Sequence, residues 1–113
     1  MYEYYAKVLR VIDGDTVDAL IDLGFDIHVN KRIRLEGINA WESRTRDLEV
    51  KKKGLLAKER LVQLLESNQN NFRLVSYGVG KFGRCIGRLY IDTYDHSVND
   101  ILVSEGHAKI YKV

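Results

Sequence analysis

Three runs of β-forming residues crowd into the first 35 positions of this chain, with only a few turn residues between them. Tyr4 to Val11 is the first run. Thr16 to Asp22 is the second, with Val17, Ala19 and Ile21 on one face and Asp18 and Asp22 on the other. Ile27 to Leu35 is the third, with Ile27, Val29, Ile33 and Leu35 in phase. Connections this short make the three strands a meander. The first connection is a small acidic knot, Asp13-Gly14-Asp15, and the second is marked by Gly24, Phe25 and Asp26.

Beyond the meander the pattern changes period. Ser43 to Lys53, "SRTRDLEVKKK", is charged and aperiodic, which suits a loop or a helix start without an apolar face. Gly54 to Glu66 carries Ala57, Leu61, Leu64 and Leu65 at spacings of three and four, an amphipathic helix. Ser67 to Asn71 is loop, and Phe72 to Tyr77 and Cys85 to Ile91 are two further strands flanking "GVGKFGR". Ser97 suits the N-cap of a short helix from Val98 to Glu105, with Gly106 as its stop. The tail "HAKIYKV" reads as a last extended segment. Three strands, a helix, two strands and a helix predict an α+β fold of the OB type. That is a five-stranded barrel with a helix inserted after strand three and a short second helix.

The totals narrow the class. A chain of 113 residues fits one domain, here 1–113, large enough for a core without staples. A single cysteine, Cys85, rules out an internal disulfide framework. The start "MYEYYAKVL" lacks a secretory pattern and no apolar run reaches a membrane span, so a cytoplasmic, membrane-free protein is expected, and a monomer. Net charge is only +2, so any polyanion-binding surface must come from the placement of charges. His28, His96 and His107 lack zinc-like spacing.

Three constellations carry chemistry. In "DGDT", Asp-Gly is a common turn pair, but Asp15 also suits a hard cation that takes oxygen ligands. In "IRLEGINAWES", Arg34 is out of phase with Ile33 and Leu35 and leaves the barrel interior. Asn39 and Glu42 follow the strand with an amide oxygen and a carboxylate, which equally suit a polar loop. In "GKFGR", Gly80 and Gly83 bracket Lys81 and Phe82 ahead of Arg84, a basic hairpin turn or a phosphate grip.

In this order and on this strand plan, the chain resembles the staphylococcal nuclease-like family. "VIDGDTV", "RLEGIN" with Glu42, "GKFGR" and "VNDILVSEGHAKI" match that family's signature segments across nearly the whole length. The resemblance implies a Ca²⁺-dependent phosphodiesterase acting on DNA or RNA and leaving 3′-phosphate ends. It implies Arg34 and Arg84 as guanidiniums on the phosphate and Glu42 as the group that orients or deprotonates water. Asp15 would be the main carboxylate ligand to Ca²⁺, with Asp13 nearby, and Asn39 and the Ala40 carbonyl would complete the protein side. Lys81 would hold a terminal phosphate and Tyr111 would stack on or contact the nucleotide.

Some positions depart from the family pattern. Asn39 stands where an aspartate is usual, which predicts weaker Ca²⁺ binding. Trp41 replaces a proline, and Phe82 a tyrosine. Longer relatives continue past the position of Val113 into a further helix, so the core is expected to close without it or under a partner. The rival reading is an OB module that holds nucleic acid or protein without cutting. The set Arg34, Glu42 and Arg84 argues for the enzyme.

Overall fold

A computed structural model describes residues 2–79 and 84–111. The elements run β1 (Tyr2–Asp13), β2 (Thr16–Asp22), β3 (His28–Leu35), β4 (Ile38–Ala40), α1 (Leu48–Glu66), β5 (Asn71–Val79), β6 (Cys85–Tyr90), α2 (Val98–Ser104) and β7 (Ala108–Ile110). Five strands close a barrel in the order β1-β2-β3-β6-β5, and β4 pairs with β7 as a separate two-stranded sheet. This is the expected α+β, OB-like barrel with a helix after the meander.

Closure depends on β1 and β3. The twelve residues of β1 pair antiparallel with both β2 and β5, and its register slips between Val8 and Arg10 and between Val11 and Asp13. Such bulges bend a strand and raise its twist, which lets one strand serve two neighbours. The barrel is sealed by a parallel pairing of β3 on β6, Ile33 to Cys85 through Leu35 to Gly87. The alternation read from the sequence is the interior: Val17, Ala19, Ile33 and Leu35 are fully buried with Leu74 and Leu89. From α1, Leu61, Leu64 and Leu65 join the same core, and from α2 Val98 and Leu102.

Several boundaries differ from the sequence reading. Helix α1 begins at Leu48, six residues before Gly54, because the Asp47 carboxylate caps the amides of Glu49 and Val50 at 3.1 and 3.3 Å. Those first turns are mostly solvent-exposed, so no apolar stripe announces them. Ile27 lies outside β3 and is exposed, since the hairpin tip projects beyond the core. The final extended segment is β7, and its partner β4 is a three-residue strand too short to show an alternation in the sequence. Ser97 caps α2 as expected, its hydroxyl oxygen accepting from the Asp100 amide at 3.1 Å; Gly106 follows with φ +80°. Asn99 is fully buried in α2, its amide donating to the Glu36 and Gly87 carbonyls and its oxygen accepting from the Leu89 amide. It ties α2 to the seam where β3 meets β6.

Candidate functional site

A cavity of about 420 Å³ opens at the end of the barrel where the β1–β2 turn, β3, β4 and the start of α1 converge. Asp13, Asp15, Arg34, Asn39, Ala40, Glu42 and Arg84 all line it. Of the nine residues singled out from the sequence, these seven come together. Tyr111 is not in the lining: it is 48% exposed and its amide donates to the Gly37 carbonyl at 2.8 Å. Lys81, like Phe82, lies outside the described residues.

Helix α1 presses this site together, and small residues permit the approach. A Cβ on Gly14 would stand 2.9 Å from the Cβ atoms of both Ala40 and Ala57. A Cβ on Gly54 would run into the backbone carbonyl of Glu42 and the amide of Ser43. One helix thus packs its Ala57 on the acidic turn and its Gly54 on the loop that carries Glu42. Neither glycine has left-handed backbone; both are there for space.

Hydrogen bonds then wire the two loops to each other. The Asp15 carboxylate accepts from the Thr16 hydroxyl and from the Ala40 amide, each at 2.9 Å, and stands 3.5 Å from Nη1 of Arg34. Arg34 donates Nη1 to the Leu35 carbonyl at 3.0 Å and Nη2 to the Ile38 carbonyl at 2.7 Å and to Oδ1 of Asn39 at 2.5 Å. Its guanidinium therefore braces β4 from inside the site. Asp13 accepts from the Ser43 hydroxyl at 2.5 Å and pairs with Arg44 at 3.6 Å, so the acidic turn also holds the segment just after Glu42. Trp41, just before Glu42, is anchored through its indole N–H to the Gly106 carbonyl at 3.3 Å. Glu42 itself is exposed between these two anchors.

Among the described residues, the lining sets three carboxylates, Asp13, Asp15 and Glu42, against three cations, Arg34, Arg84 and Lys109. An anion entering there meets the braced guanidinium of Arg34, with Arg84 and Lys109 in the same lining and the Glu42 carboxylate facing solvent. As donors for a cation, the turn and β4 offer two carboxylates and an amide oxygen, all hard oxygens. Among the described residues, no group of three or more His, Cys, Asp or Glu side chains is placed to hold a metal ion by itself. The set therefore fits a hard divalent cation that completes its shell with water or phosphate oxygens. Each carboxylate oxygen has two acceptor sites, so Asp15 Oδ1, with one donor, keeps one open.

The family model for staphylococcal nuclease homologues matches residues 32–113, close to three-quarters of the chain. The chain belongs to this staphylococcal nuclease family. The matched span holds Arg34, Asn39, Ala40, Glu42 and Arg84, but begins after the acidic turn. Similarity also extends to a micrococcal nuclease of Shigella flexneri, 28% identical over 117 aligned positions that cover 97% of this chain and 60% of that protein. The chain thus spans a little over half the length of that nuclease.

Within this family member, the lining also includes residues to which the sequence assigns no part in the chemistry. Lys109 and Trp41 line the cavity with Thr16. Lys109 reaches it because β7 pairs with β4, opposite Asn39. Nothing local in "HAKI" announces a pairing with a three-residue strand seventy positions away.

Proposed function

We propose that this staphylococcal nuclease family chain is a nuclease that hydrolyses phosphodiester bonds of DNA or RNA with Ca²⁺ and leaves 3′-phosphate ends. The observation that carries the reading is the gathering of Arg34, Glu42 and Arg84 with Asp13, Asp15 and Asn39 around one cavity.

Asp15, Asn39 and the Ala40 carbonyl would hold the cation, with Asp13 behind them. When bound, it supplies positive charge for the phosphoryl oxygens as negative charge grows there. The remaining work falls to the chain. Glu42, exposed on a loop anchored at both sides, takes a proton from the attacking water. The new bond forms from that water oxygen to phosphorus, and the bond from phosphorus to the 5′ oxygen breaks. Arg84 stands by the leaving oxygen and stabilises its charge. Arg34 grips a non-bridging oxygen by exchanging its Asn39 contact for the phosphate, which frees the Asn39 amide oxygen. Asp13 positions Glu42 through Ser43.

The test is digestion of heat-denatured DNA by the purified chain with Ca²⁺ or chelator, followed by end-group analysis. Fragments with 3′-phosphates should form only with Ca²⁺, and Glu42→Gln should slow cleavage by about a thousandfold. DNA that is bound but never cut, at any Ca²⁺ concentration, would leave a binding module in place of an enzyme.

A further inference from the structure

We propose that Trp41, Lys53 and Lys109 form a nucleotide subsite at the rim of the cavity, where a flanking base stacks on the indole and its phosphate binds the two ammoniums. The inference rests on the nuclease reading for its ligand class, and adds residues which that reading does not use.

Trp41 is the wall between two openings. It lines the 420 Å³ cavity, and it also lines a neighbouring cavity of about 230 Å³ with Lys53, Leu56 and His107. The ring is already oriented. Its N–H is held by the Gly106 carbonyl at 3.3 Å, and its backbone amide by the His107 carbonyl at 3.4 Å. A pre-oriented indole beside a phosphate site is a stacking platform that accepts any base, since every base has a π-face.

The two lysines supply the second half. Lys53 of α1 lies 4.7 Å from the ring centroid and Lys109 of β7 lies 4.8 Å from it. Both residues are exposed. Among the described residues neither ammonium is paired with a carboxylate; the nearby Glu105 is committed to Arg60, at 2.6 and 2.9 Å. The arginines Arg10, Arg32, Arg60, Arg73 and Arg88, in contrast, all have carboxylate partners. Cation–π contacts at exposed positions are weak, whereas an ammonium on a phosphate oxygen makes a charge-assisted hydrogen bond. A nucleotide can therefore draw both lysines off the ring and put its base in their place. Lys109 also lines the main cavity, so its ammonium can span from the flanking phosphate to the scissile one.

Trp41 is the chain's single tryptophan, so its emission reports this subsite alone. The experiment uses the full chain carrying Glu42→Gln, in chelator, titrated with single-stranded octathymidylate at several salt concentrations. Saturable quenching of Trp41 is expected, and an octamer of abasic deoxyribose phosphates should bind about tenfold more weakly with little quenching. Adding Lys53→Gln and Lys109→Gln together should weaken octathymidylate binding about tenfold. It should also lower the slope of log affinity against log salt by about 1.4, two phosphate contacts at 0.7 each. Binding without a change in emission overturns the proposal. So does an unchanged affinity and salt slope in the lysine variant, or no binding at all. Wild-type cleavage with a silent Trp41 would sink the subsite and keep the nuclease. Lysine-dependent quenching without any wild-type cleavage would do the reverse.

Discussion

The β1–β2 turn and the β2–β3 turn are made of nearly the same residues and have opposite fates. Each sets aspartates around a glycine between antiparallel strands: Asp13, Gly14 and Asp15 in one, Asp22, Gly24 and Asp26 in the other. The first is packed, with Gly14 buried and Asp15 bonded to β4. The second stands in solvent with Phe25 97% exposed. It is held by bonds within the turn: the Leu23 amide to the Ile27 carbonyl at 2.8 Å, the Ile27 amide to the Gly24 carbonyl at 2.9 Å, and the Gly24 amide to the Asp22 carboxylate at 2.8 Å. Their glycines serve different ends. Gly24, at φ +85°, has open space around it and is needed for backbone conformation; Gly14 is needed for clearance under α1. What converts an acidic turn into a site is the helix laid on it, not the composition of the turn.

If that is right, the largest effect comes from pushing the helix away. Gly54→Ala should cost about 3 kcal/mol or more of stability, since the new methyl meets backbone and not a side chain that can swing aside. Chemical denaturation measures the loss, and residual folded protein should cleave poorly because the Glu42 loop has moved. Next comes a contrast of carboxylates. Asp15→Asn should weaken Ca²⁺ binding roughly a hundredfold, about 2.7 kcal/mol. Asp26→Asn should leave it unchanged, and calorimetric titration of both would expose a cation held elsewhere. Third is a contrast of glycines. Gly14→Ala should cost about 2 kcal/mol and impair cleavage. Gly24→Ala should cost about 1 kcal/mol from left-handed backbone strain and leave cleavage intact. Equal effects on cleavage would mean that α1 does not set the difference.

The same contrast explains what could be read beforehand. Strand alternation is local, so Val17, Ala19, Ile33 and Leu35 announce the barrel interior on their own. Arg34 is legible as the residue out of phase between two buried neighbours. Asp13, Asp15, Asn39, Glu42 and Arg84 are legible through the order of short motifs along the chain. What escaped depends on packing between distant segments. The start of α1 is written in charges, because only from Gly54 onward does the helix touch the core. The β4–β7 pairing, and with it Lys109, joins three residues to three across most of the chain. By itself Asp-Gly reads as turn chemistry, whereas the lack of room for a Cβ between Gly14 and Ala57 is a tertiary fact.

The smallest effect tests how firmly α1 is held in place. Arg60 of α1 forks onto Glu105 at the end of α2, Nε to Oε1 at 2.6 Å and Nη2 to Oε2 at 2.9 Å, and His107 stands 4.0 Å from the same carboxylate. The hydrogen bonds from Arg60 hold the Glu105 carboxyl below its ordinary value, against a smaller opposing effect of burial. A carboxylate whose pKa is depressed on folding stabilises fully above its unfolded pKa, about 4.3, and loses that contribution as pH falls through the folded value. Because the pair is partly exposed, solvent screening limits its worth to about 0.5 kcal/mol. Glu105→Gln should therefore lower the thermal midpoint slightly between pH 8 and pH 5, with the gap to wild type closing below about pH 4. High salt should shrink the same gap at neutral pH. A gap that persists at pH 2 would mean that Glu105 acts through the shape of the α2 cap, and that the grip of α1 on the acidic turn comes from apolar packing alone.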